Sequence, residues 1–325
     1  MAKDRLITGG ASNRVDAAVD VNHIRVAVSI CAYTEKRWDM LVDAIASVQE
    51  QSYPVEQIIV CIDHNEGLAE RCHRHVDKWA NGTKVPIIVV ENQYDGRLGS
   101  ARNTALRYAE CDVVAFLDDD ARADSDWLRF LVAPYHDSDV VAVGGAPIPV
   151  LETSRPRWFP PQLDWVFGCY YEGLPKELGL AQRLIGASMS VRKEALSAIG
   201  GFHSDNHDDM DMCHRLAHRW PDQRILLEPL AVVHHNVSAE RVTWGYFWRR
   251  CFFVNKGKVK AFRDMGSAAS LDADRRFVLG ALRRSAISGF EDVLRCDGYG
   301  IVRFGVVVAG AALAAAGHIA GRLIG

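Results

Sequence analysis

The sequence lacks paired cysteines, glycine-rich nucleotide loops and an apolar amino-terminal segment, and each absence excludes a class of protein. Its eight cysteines are scattered and form no C-x-x-C pair, which argues against structural zinc and disulfides and favours a reducing compartment. Neither a G-x-G-x-x-G motif nor a Walker loop occurs, so a dinucleotide fold and a P-loop are not expected. Residues 1–22 contain no apolar run, so we expect no signal peptide and a disordered tail over residues 1–24.

The net charge of −3 is small, but the charge is unevenly distributed along the chain. From Arg241 to Arg303 there are 13 Lys and Arg against 6 Asp and Glu, a surplus of +7, so the remaining residues sum to −10. A basic carboxyl-terminal third suits phosphates, either of a ligand or of lipid headgroups. No nucleic-acid-binding motif accompanies this charge, so nucleic acid is not an expected partner.

Strand and helix signals alternate from Arg25 to about Val143. Short apolar runs rich in β-branched residues predict buried strands at Val26–Ile30, Ile58–Ile62, Pro86–Val90, Val113–Leu117 and Val140–Val143. Amphipathic segments between them predict helices at Trp38–Gln51, Glu66–Trp79 and Ser100–Ala109. This alternation predicts an α/β fold with a mostly parallel, Rossmann-like sheet, right-handed crossovers and flanking helices.

Three consecutive carboxylates, Asp118, Asp119 and Asp120, follow the fourth predicted strand. Acids at the carboxyl end of such a strand lie where open α/β sheets bind ligands. Hard divalent cations such as Mg²⁺ or Mn²⁺ relieve the repulsion between neighbouring carboxylates, and a nucleoside diphosphate is usually held through such a cation. The alternative is that these acids only begin the next helix, but Asp124-Ser125 already supplies a cap before Trp127.

Other polar groups follow predicted strands and could face the same ligand. Asp63 could accept hydrogen bonds from a nucleobase or a ribose, or it could cap the next helix. The ring of Tyr33 could stack on a base or only pack at the edge of the core. The loop Asp95–Gly99 leads into a helix that carries Arg102 and Asn103, and a helix amino terminus favours an anion.

A second acidic group lies later in the chain. Asp208 and Asp209 open a predicted helix, where acids are common because of the helix dipole. Deprotonation of an acceptor hydroxyl would need a base, and an aspartate in a partly closed site suits that task. His235 ends an apolar run and could bind a metal or a phosphate, or be structural.

Two later segments have unusual composition. Residues 146–180 contain six prolines together with Trp158 and Trp165, which is typical of a segment that covers a site or packs as a hydrophobic lid. Residues 263–298 are expected to form a helical extension. From Phe304 to Gly317 there is no charged residue, so residues 299–325 are expected to form an apolar helix. That helix is shorter in its uncharged part than the roughly 20 residues of a full span, so it either associates with a membrane or is buried.

These motifs, in this order, resemble the family 2 glycosyltransferases, which have the GT-A fold. The matching segments are Val28–Tyr33, Ser47–Pro54, Ile58–Asp63, Arg102-Asn103, Phe116–Asp120, Gly200–Phe202 and Asp208–Arg215. The resemblance covers about residues 25–262, which would form the catalytic domain. Residues 158–175 and 244–260 further resemble actinobacterial and archaeal members that act on polyprenyl-linked sugars, such as glucosyl-dolichyl-phosphate glucuronosyltransferases.

The resemblance implies metal-dependent transfer of a sugar, with inversion, from a nucleotide donor (UDP favoured) to a glycan or lipid-linked glycan, at the cytoplasmic face of the membrane. It implies that Asp209 is the base, assisted by Asp208, and that the cation is bound by Asp118, Asp120 and His235. It implies donor contacts from Tyr33, Asp63, Arg102, Asn103, Asp118, Asp119, Arg249 and Arg250, and an acceptor lid containing Trp158 and Trp165.

The sequence departs from the family pattern at two points. Asp208 stands where many members have glutamate, and Trp248-Arg249-Arg250 only approximates their Q-x-x-R-W motif, so single addition is expected instead of polymerisation. Two alternatives are a sugar-nucleotide nucleotidyltransferase and a non-catalytic sugar-nucleotide-binding protein. The first should have a Gly-rich basic loop after strand one, where this chain has Ala32–Lys36.

Overall fold

One mixed sheet of nine strands forms the centre of the computed structural model, which describes residues 23–81, 85–203, 207–261 and 268–324. The strands are β1 Val26–Ala32, β2 Gln57–Ile62, β3 Ile87–Glu91, β4 Val113–Asp118, β5 Ala121–Ala123, β6 Val140–Leu151, β7 Gly179–Leu180, β8 Ser188–Arg192 and β9 Arg224–Val237. The α-helices are α1 Trp38–Gln49, α2 Glu66–Ala80, α3 Leu98–Tyr108, α4 Trp127–Val132, α5 Lys193–Ala198, α6 Asp208–Arg219, α7 Trp244–Ala261, α8 Ala268–Leu294 and α9 Tyr299–Ile324. The predicted α/β class with flanking helices is confirmed.

The strand order is β3-β2-β1-β4-β8-β6-β9-β5, and β7 pairs with β9. Strands β1 to β4 are parallel as predicted. Beyond them β8 is antiparallel to both β4 and β6, so the whole sheet is mixed and not mostly parallel. The difference has a simple origin, because β8 follows the long segment after β6 and is not joined to β4 by a crossover helix.

The register of the parallel strands brings their carboxyl ends to one edge. Cys31 pairs with Asp118, and Ala32 pairs with Ile62, so the residues that follow β1, β2 and β4 lie side by side. These three strands are apolar and almost completely buried, as expected for strands covered on both faces. The sheet therefore gathers its polar strand ends at a fixed position above a rigid core.

Helices cover both faces of the sheet, and a third core lies outside it. One cluster packs α1, α2 and α4 against the sheet, and a second packs α3, α5 and α6 on the other face. Trp127 of α4 is fully buried and donates its indole N–H to Ser188 Oγ at 2.9 Å, which ties α4 to β8. The third cluster joins the segment after β6 to α7, α8 and α9, and includes Phe159, Phe247 and Val307.

Some boundaries differ from those predicted. The residue that precedes α4 is Asp126, which makes no side-chain cap, so the expected cap at Asp124-Ser125 is wrong; Asp124 instead contacts His234 at 2.9 Å. Strand β6 continues past Val143 to Leu151. Of the predicted tail, only residues 23 and 24 lie within the described part of the chain.

Helix α9 contains a segment, Tyr299–Leu323, that is long and apolar enough to cross a membrane by length and composition. Its mean hydropathy is 1.8, and 28% of that window is buried in the protein. A single helix of this kind is weak evidence for a membrane span, since the core helix of a soluble protein passes the same test. How α9 packs is therefore more informative than its composition.

Gly145 allows β6 to pass close to its neighbours. A Cβ at this position would lie 2.3 Å from Ser188 Oγ and 2.4 Å from the carbonyl oxygen of Ala231. We expect Gly145→Ala to lower the free energy of unfolding by about 1–3 kcal/mol through overpacking, measured as a lower midpoint of thermal unfolding. Gly245→Ala is the matched control, because no described atom outside its chain neighbours and its own helix lies within 4 Å of a Cβ placed there; equal midpoints for the two variants would contradict the packing.

Candidate active site

A possible metal-binding triad lies at the carboxyl end of β4. Asp118, Asp120 and His235 each offer one ligand atom, and these atoms all lie within 4.8 Å of one another. His235 reaches the two acids because β5 pairs with β9 in a register that places Ala121 opposite His235. The three residues that sequence analysis grouped as metal ligands are therefore brought together by two distant strands.

The spacing of the ligand atoms fits a divalent cation. Asp120 Oδ1 lies 3.2 Å from His235 Nε2, and both side chains are buried. Neighbouring ligands of an octahedral Mg²⁺ or Mn²⁺, each about 2.1 Å from the ion, are separated by about 3 Å. Asp118 completes the group with a side chain that is 26% exposed, so the site opens toward solvent on that side. The donor set is chemically suited to such an ion.

Two arginines that sequence analysis did not select lie beside these carboxylates. Arg37 Nη1 is 2.8 Å from Asp119 Oδ1 and 3.1 Å from Asp120 Oδ2. Burial disfavours the charged form of Asp120, but the hydrogen bond with His235 and the charges of Arg37 and Arg241 outweigh it and lower the pKa of Asp120. Nothing in the local sequence distinguishes Arg37 or Arg241 from other surface arginines.

The middle acid of the three is the least well satisfied. Asp119 is buried, and its Oδ2 has no hydrogen-bond partner among the described residues. Burial raises the pKa of Asp119 to about 7, although the adjacent Arg37 opposes the shift. An unpaired buried oxygen of this kind is costly, and a ligand or ion at the strand end would satisfy it.

Arg102 connects the triad to the acids of α6. Its side chain is buried, donates to Asp118 Oδ1 at 3.2 Å and to Asp208 Oδ2 at 2.9 Å, and also donates to the carbonyl oxygen of Gly186 at 2.8 Å. Burial raises the pKa of Asp208 to about 6, although Arg102 opposes the shift. Because it is buried between these carboxylates, Arg102 positions them, and its predicted contact with a sugar donor stays a prediction.

Asp209 differs from Asp208 in what holds it. Its Oδ2 accepts from the backbone N–H of Gly186 at 3.1 Å, and its Oδ1 accepts from the N–H of Met210 at 2.8 Å. Asp209 is only half-buried, whereas Asp208 is buried and paired with Arg102. The carboxylate of Asp209 is thus the more accessible of the two.

Tyr33 and Asp63 lie at the neighbouring strand ends. The ring of Tyr33 is 56% exposed, with the Arg37 guanidinium 5.5 Å from its centroid. Asp63 accepts from Asn92 Nδ2 at 2.7 Å and from the N–H of Arg97 at 3.0 Å. The helix-cap interpretation of Asp63 is wrong, since the side chain of Asn65 caps α2.

Asn103 holds a turn. Its Nδ2 donates to the carbonyl oxygen of Phe202 at 2.6 Å, and its Oδ1 accepts from the Phe202 N–H at 2.7 Å. These bonds hold the turn at Gly200-Gly201, where both glycines have positive φ. Both polar atoms of its side-chain amide are therefore engaged by the backbone, and its contact with a sugar donor stays a prediction.

The residues predicted to bind phosphate, Arg249 and Arg250, lie on α7, and the predicted lid residues, Trp158 and Trp165, lie in the segment after β6. Arg250 is close to His207 at the start of α6, where burial lowers the pKa of His207 to about 4 and the Arg250 charge adds to that shift. Arg249, also on α7, is exposed. Trp158 makes edge contacts with rings of the third cluster, and the buried indole N–H of Trp165 has no partner among the described residues.

The lid segment also touches the triad through a residue that sequence analysis treated as one of eight scattered cysteines. Cys169 is buried just after the 3₁₀ helix Pro161–Phe167, and its Sγ lies 3.3 Å from His235 Nδ1. The second nitrogen of a metal-binding histidine normally has a partner that fixes its ring. Cys169 is that partner here.

Comparison with known proteins gives consistent results. The chain is 26% identical over 245 residues to a glucosyl-dolichyl phosphate glucuronosyltransferase of Haloferax volcanii, covering 72% of this chain and 76% of that one. It is 27% identical over 204 residues to a pre-mycofactocin glycosyltransferase of Mycobacterium tuberculosis, covering 58% of this chain but only 40% of that relative.

A solved mannosyltransferase of Pyrobaculum calidifontis, in complex with GDP-Man and Mn²⁺, matches 93% of this chain and 87% of its own, with a TM-score of 0.60 and 20% identity. That likeness confirms the GT-A fold. The family model described as glycosyl transferase family 2 matches residues 27–200, more than half of the chain. This protein is a glycosyltransferase, and it belongs to glycosyl transferase family 2.

Proposed function

We propose that the protein transfers one sugar, with inversion and with the help of a divalent cation, from a nucleotide-sugar donor to a hydroxyl of a lipid-linked glycan. The observation that carries this proposal is the placement of Asp118, Asp120 and His235 within 4.8 Å of one another, with Arg102 joining them to the acids of α6. A single in-line displacement needs stabilisation of the leaving group on one side of the sugar and a base on the other, and this arrangement offers side chains for both: a cation end at the triad and a base end at the acids of α6.

At the cation end, Asp118, Asp120 and His235 would hold Mg²⁺ or Mn²⁺. Such an ion supplies Lewis-acid stabilisation of the charge that builds on a departing diphosphate. Arg37 would turn from the carboxylates toward the phosphates, since its side chain is 30% exposed. The unpaired Oδ2 of the buried Asp119 would accept a hydrogen bond from the donor.

At the base end, Asp209 would take the proton of the acceptor hydroxyl. The bonds from Gly186 and Met210 orient its carboxylate, and Asp208 would assist only indirectly through its pairing with Arg102. The hydroxyl oxygen would attack the anomeric carbon opposite the departing diphosphate, so one displacement would invert that centre. Substrate hydroxyl and leaving group would then lie on opposite sides of the sugar ring.

The nucleoside would lie over the carboxyl ends of β1 and β2. Tyr33, exposed and next to Arg37, could stack on the base. Each carboxylate oxygen of Asp63 already accepts one hydrogen bond and could accept another from the base or the ribose. UDP is favoured through family habit. The fold is shared with an enzyme solved with GDP-Man, so the experiment below includes both nucleotides.

The acceptor would enter beneath the lid, past Trp158 and Trp165. One relative is named for a dolichyl phosphate substrate, and the basic carboxyl-terminal third suits a lipid surface. We therefore place the enzyme at the cytoplasmic face of a membrane, with a polyprenyl-linked glycan as its acceptor.

Asp120→Asn tests the cation end. A thermal-shift screen of UDP-, GDP- and dTDP-sugars, with and without Mn²⁺, identifies the donor. We expect the correct donor to raise the unfolding midpoint by several degrees, and only with Mn²⁺ present. Asp120→Asn should abolish that Mn²⁺-dependent rise and lower kcat at least about 100-fold. Asp139→Asn, an exposed acid at the start of β6, is the control and should behave as wild type. Metal-dependent turnover in the Asp120 variant would count against this assignment.

Asp209→Asn tests the base end. Because the base acts only in the chemical step, kcat should fall by about 10²–10⁴-fold while the donor dissociation constant, measured by calorimetry, changes little. Asn103→Ala is the contrast: it should lower the unfolding midpoint and leave donor binding unchanged at temperatures where it is folded. Weakened donor binding in Asp209→Asn, with normal chemistry once bound, would refute the base assignment. Donor binding without any transfer by the wild type would indicate the non-catalytic alternative.

A further inference from the structure

Helix α9 is fixed along the catalytic domain by close backbone packing. A Cβ at Gly317 would lie 2.2 Å from the carbonyl oxygen of Phe252, and one at Gly321 would lie 2.7 Å from that of Lys256. At the other end, Val306 and Val307 are buried in the third cluster. The packed face thus extends over 16 residues, about 24 Å of helix, so α9 cannot leave α7 without losing this interface.

This packing is incompatible with a simple membrane span. If α9 crossed a bilayer, it would carry the adjacent turns of α7 into the hydrocarbon, including Arg249, Lys256 and Lys258. Charged side chains at that depth are strongly unfavourable. Part of the third cluster, which belongs to the lid over the active site, would have to follow as well.

The face of α9 opposite α7 is apolar and exposed. Its outward positions include Ile301, Val308, Ile319 and Leu323, which are 36% or more exposed. Between Arg303 and Arg322 the helix has no Asp, Glu, Lys or Arg. Helix α8 has a similar stripe of exposed residues, Leu279, Ile287, Phe290 and Leu294. The spacing of each set corresponds to one side of a helix.

The two stripes form one surface. Helices α8 and α9 make a hairpin in which a Cβ at Gly289 would lie 3.0 Å from the carbonyl oxygen of Gly300, and Arg303 pairs with Asp292 at 2.5 Å. In each helix the apolar stripe lies about a third of a turn from the Gly289–Gly300 contact, in the same rotational sense, and for antiparallel helices with that offset the stripes face the same side.

Charge identifies the occupant of this surface. Among residues 278–323 the exposed charged side chains are three arginines, Arg283, Arg295 and Arg322, against one acid, Glu291. A second copy of the chain would bring like charges together, whereas anionic lipid headgroups would pair with them. Exposed Trp244 and Trp248 on α7 are of the residue type that lies at the level of the headgroups.

We propose that α8 and α9 lie in the plane of a bilayer as an interfacial anchor, with their shared apolar face in the headgroup boundary, and that α9 does not span it. This proposal specifies how the enzyme of the proposed function would bind a membrane. It depends on the proposed function only for the reason that the protein would bind lipid. Binding to vesicles and sugar transfer are measured separately, so either can fail alone.

Flotation of the full-length protein with vesicles tests the surface. Vesicles of phosphatidylcholine with phosphatidylglycerol should bind it, and the double variant Phe290→Glu/Ile319→Glu should reduce the bound fraction by about 10-fold or more. The matched control, Leu180→Glu/Leu230→Glu, changes two residues that are equally exposed but lie on β7 and β9, and should bind as wild type. The proposal would be overturned if the double variant bound vesicles as well as the wild type. It would also be overturned if the wild type were a dimer that the double variant dissociated without any change in flotation.

Labelling with a membrane-impermeant maleimide tests the orientation. Cys296 is the one exposed cysteine of the eight, all of which are described, and it lies in the turn between α8 and α9. Protein added to preformed vesicles should react at Cys296 and, in Arg322→Cys, also at position 322, because a helix in the plane of the bilayer keeps both ends outside and the exposed Arg322 lies at the level of the headgroups. Protection of position 322 until detergent is added, with Cys296 still reactive, would show a span. Intact anchoring without sugar transfer would overturn the proposed function alone.

Discussion

The buried guanidinium of Arg102 is the interaction on which the site depends. It pairs with Asp118 at the end of β4 and with Asp208 at the start of α6, and so fixes the distance between the triad and the acids of α6. Breaking such a buried pair is costly, because it leaves carboxylates without their counter-charge. Lysine could not replace it, since one planar fork here serves two acids and a carbonyl oxygen. The accessible Asp209 and the buried Asp208 differ because only one of them is held by this arginine.

Sequence reasoning located the parts of the site that follow from the sheet. The apolar runs predicted β1, β2 and β4, and the rule that ligands bind at carboxyl ends of parallel strands then selected Tyr33, Asp63 and Asp118–Asp120. It also grouped His235 with those acids, although the pairing of β5 with β9 that joins them was not predictable. It missed Arg37, Arg241 and Cys169, because their contacts arise from tertiary packing that leaves no local pattern. It did not predict that Asn103 holds the turn at Gly200-Gly201, since a side-chain amide that holds a turn looks the same in sequence as one that binds a ligand.

The third cluster gives the lid and the carboxyl-terminal helices a common core. Phe159 of the lid stacks on Phe167 at 4.6 Å and meets Phe247 of α7 at 6.0 Å, and Val307 of α9 belongs to the same cluster. Cys169 follows that lid directly and contacts His235. Packed cores move as units and transmit strain. The apolar face of α8 and α9 is therefore connected through continuous packing to the triad, which suits the proposed lipid-linked acceptor.

The charges around the triad explain why cation and donor would bind together. Arg37, Arg102 and Arg241 offset the charges of Asp118, Asp119 and Asp120, so the strand end is close to neutral without an ion. A diphosphate alone would gain little there, because these arginines are already engaged by the carboxylates. A divalent ion would make the local field positive, and bound ions are often the largest charges in such a site. Because Arg37 is paired with Asp119 and Asp120, an ion that took over these carboxylates would also free this arginine for the phosphates.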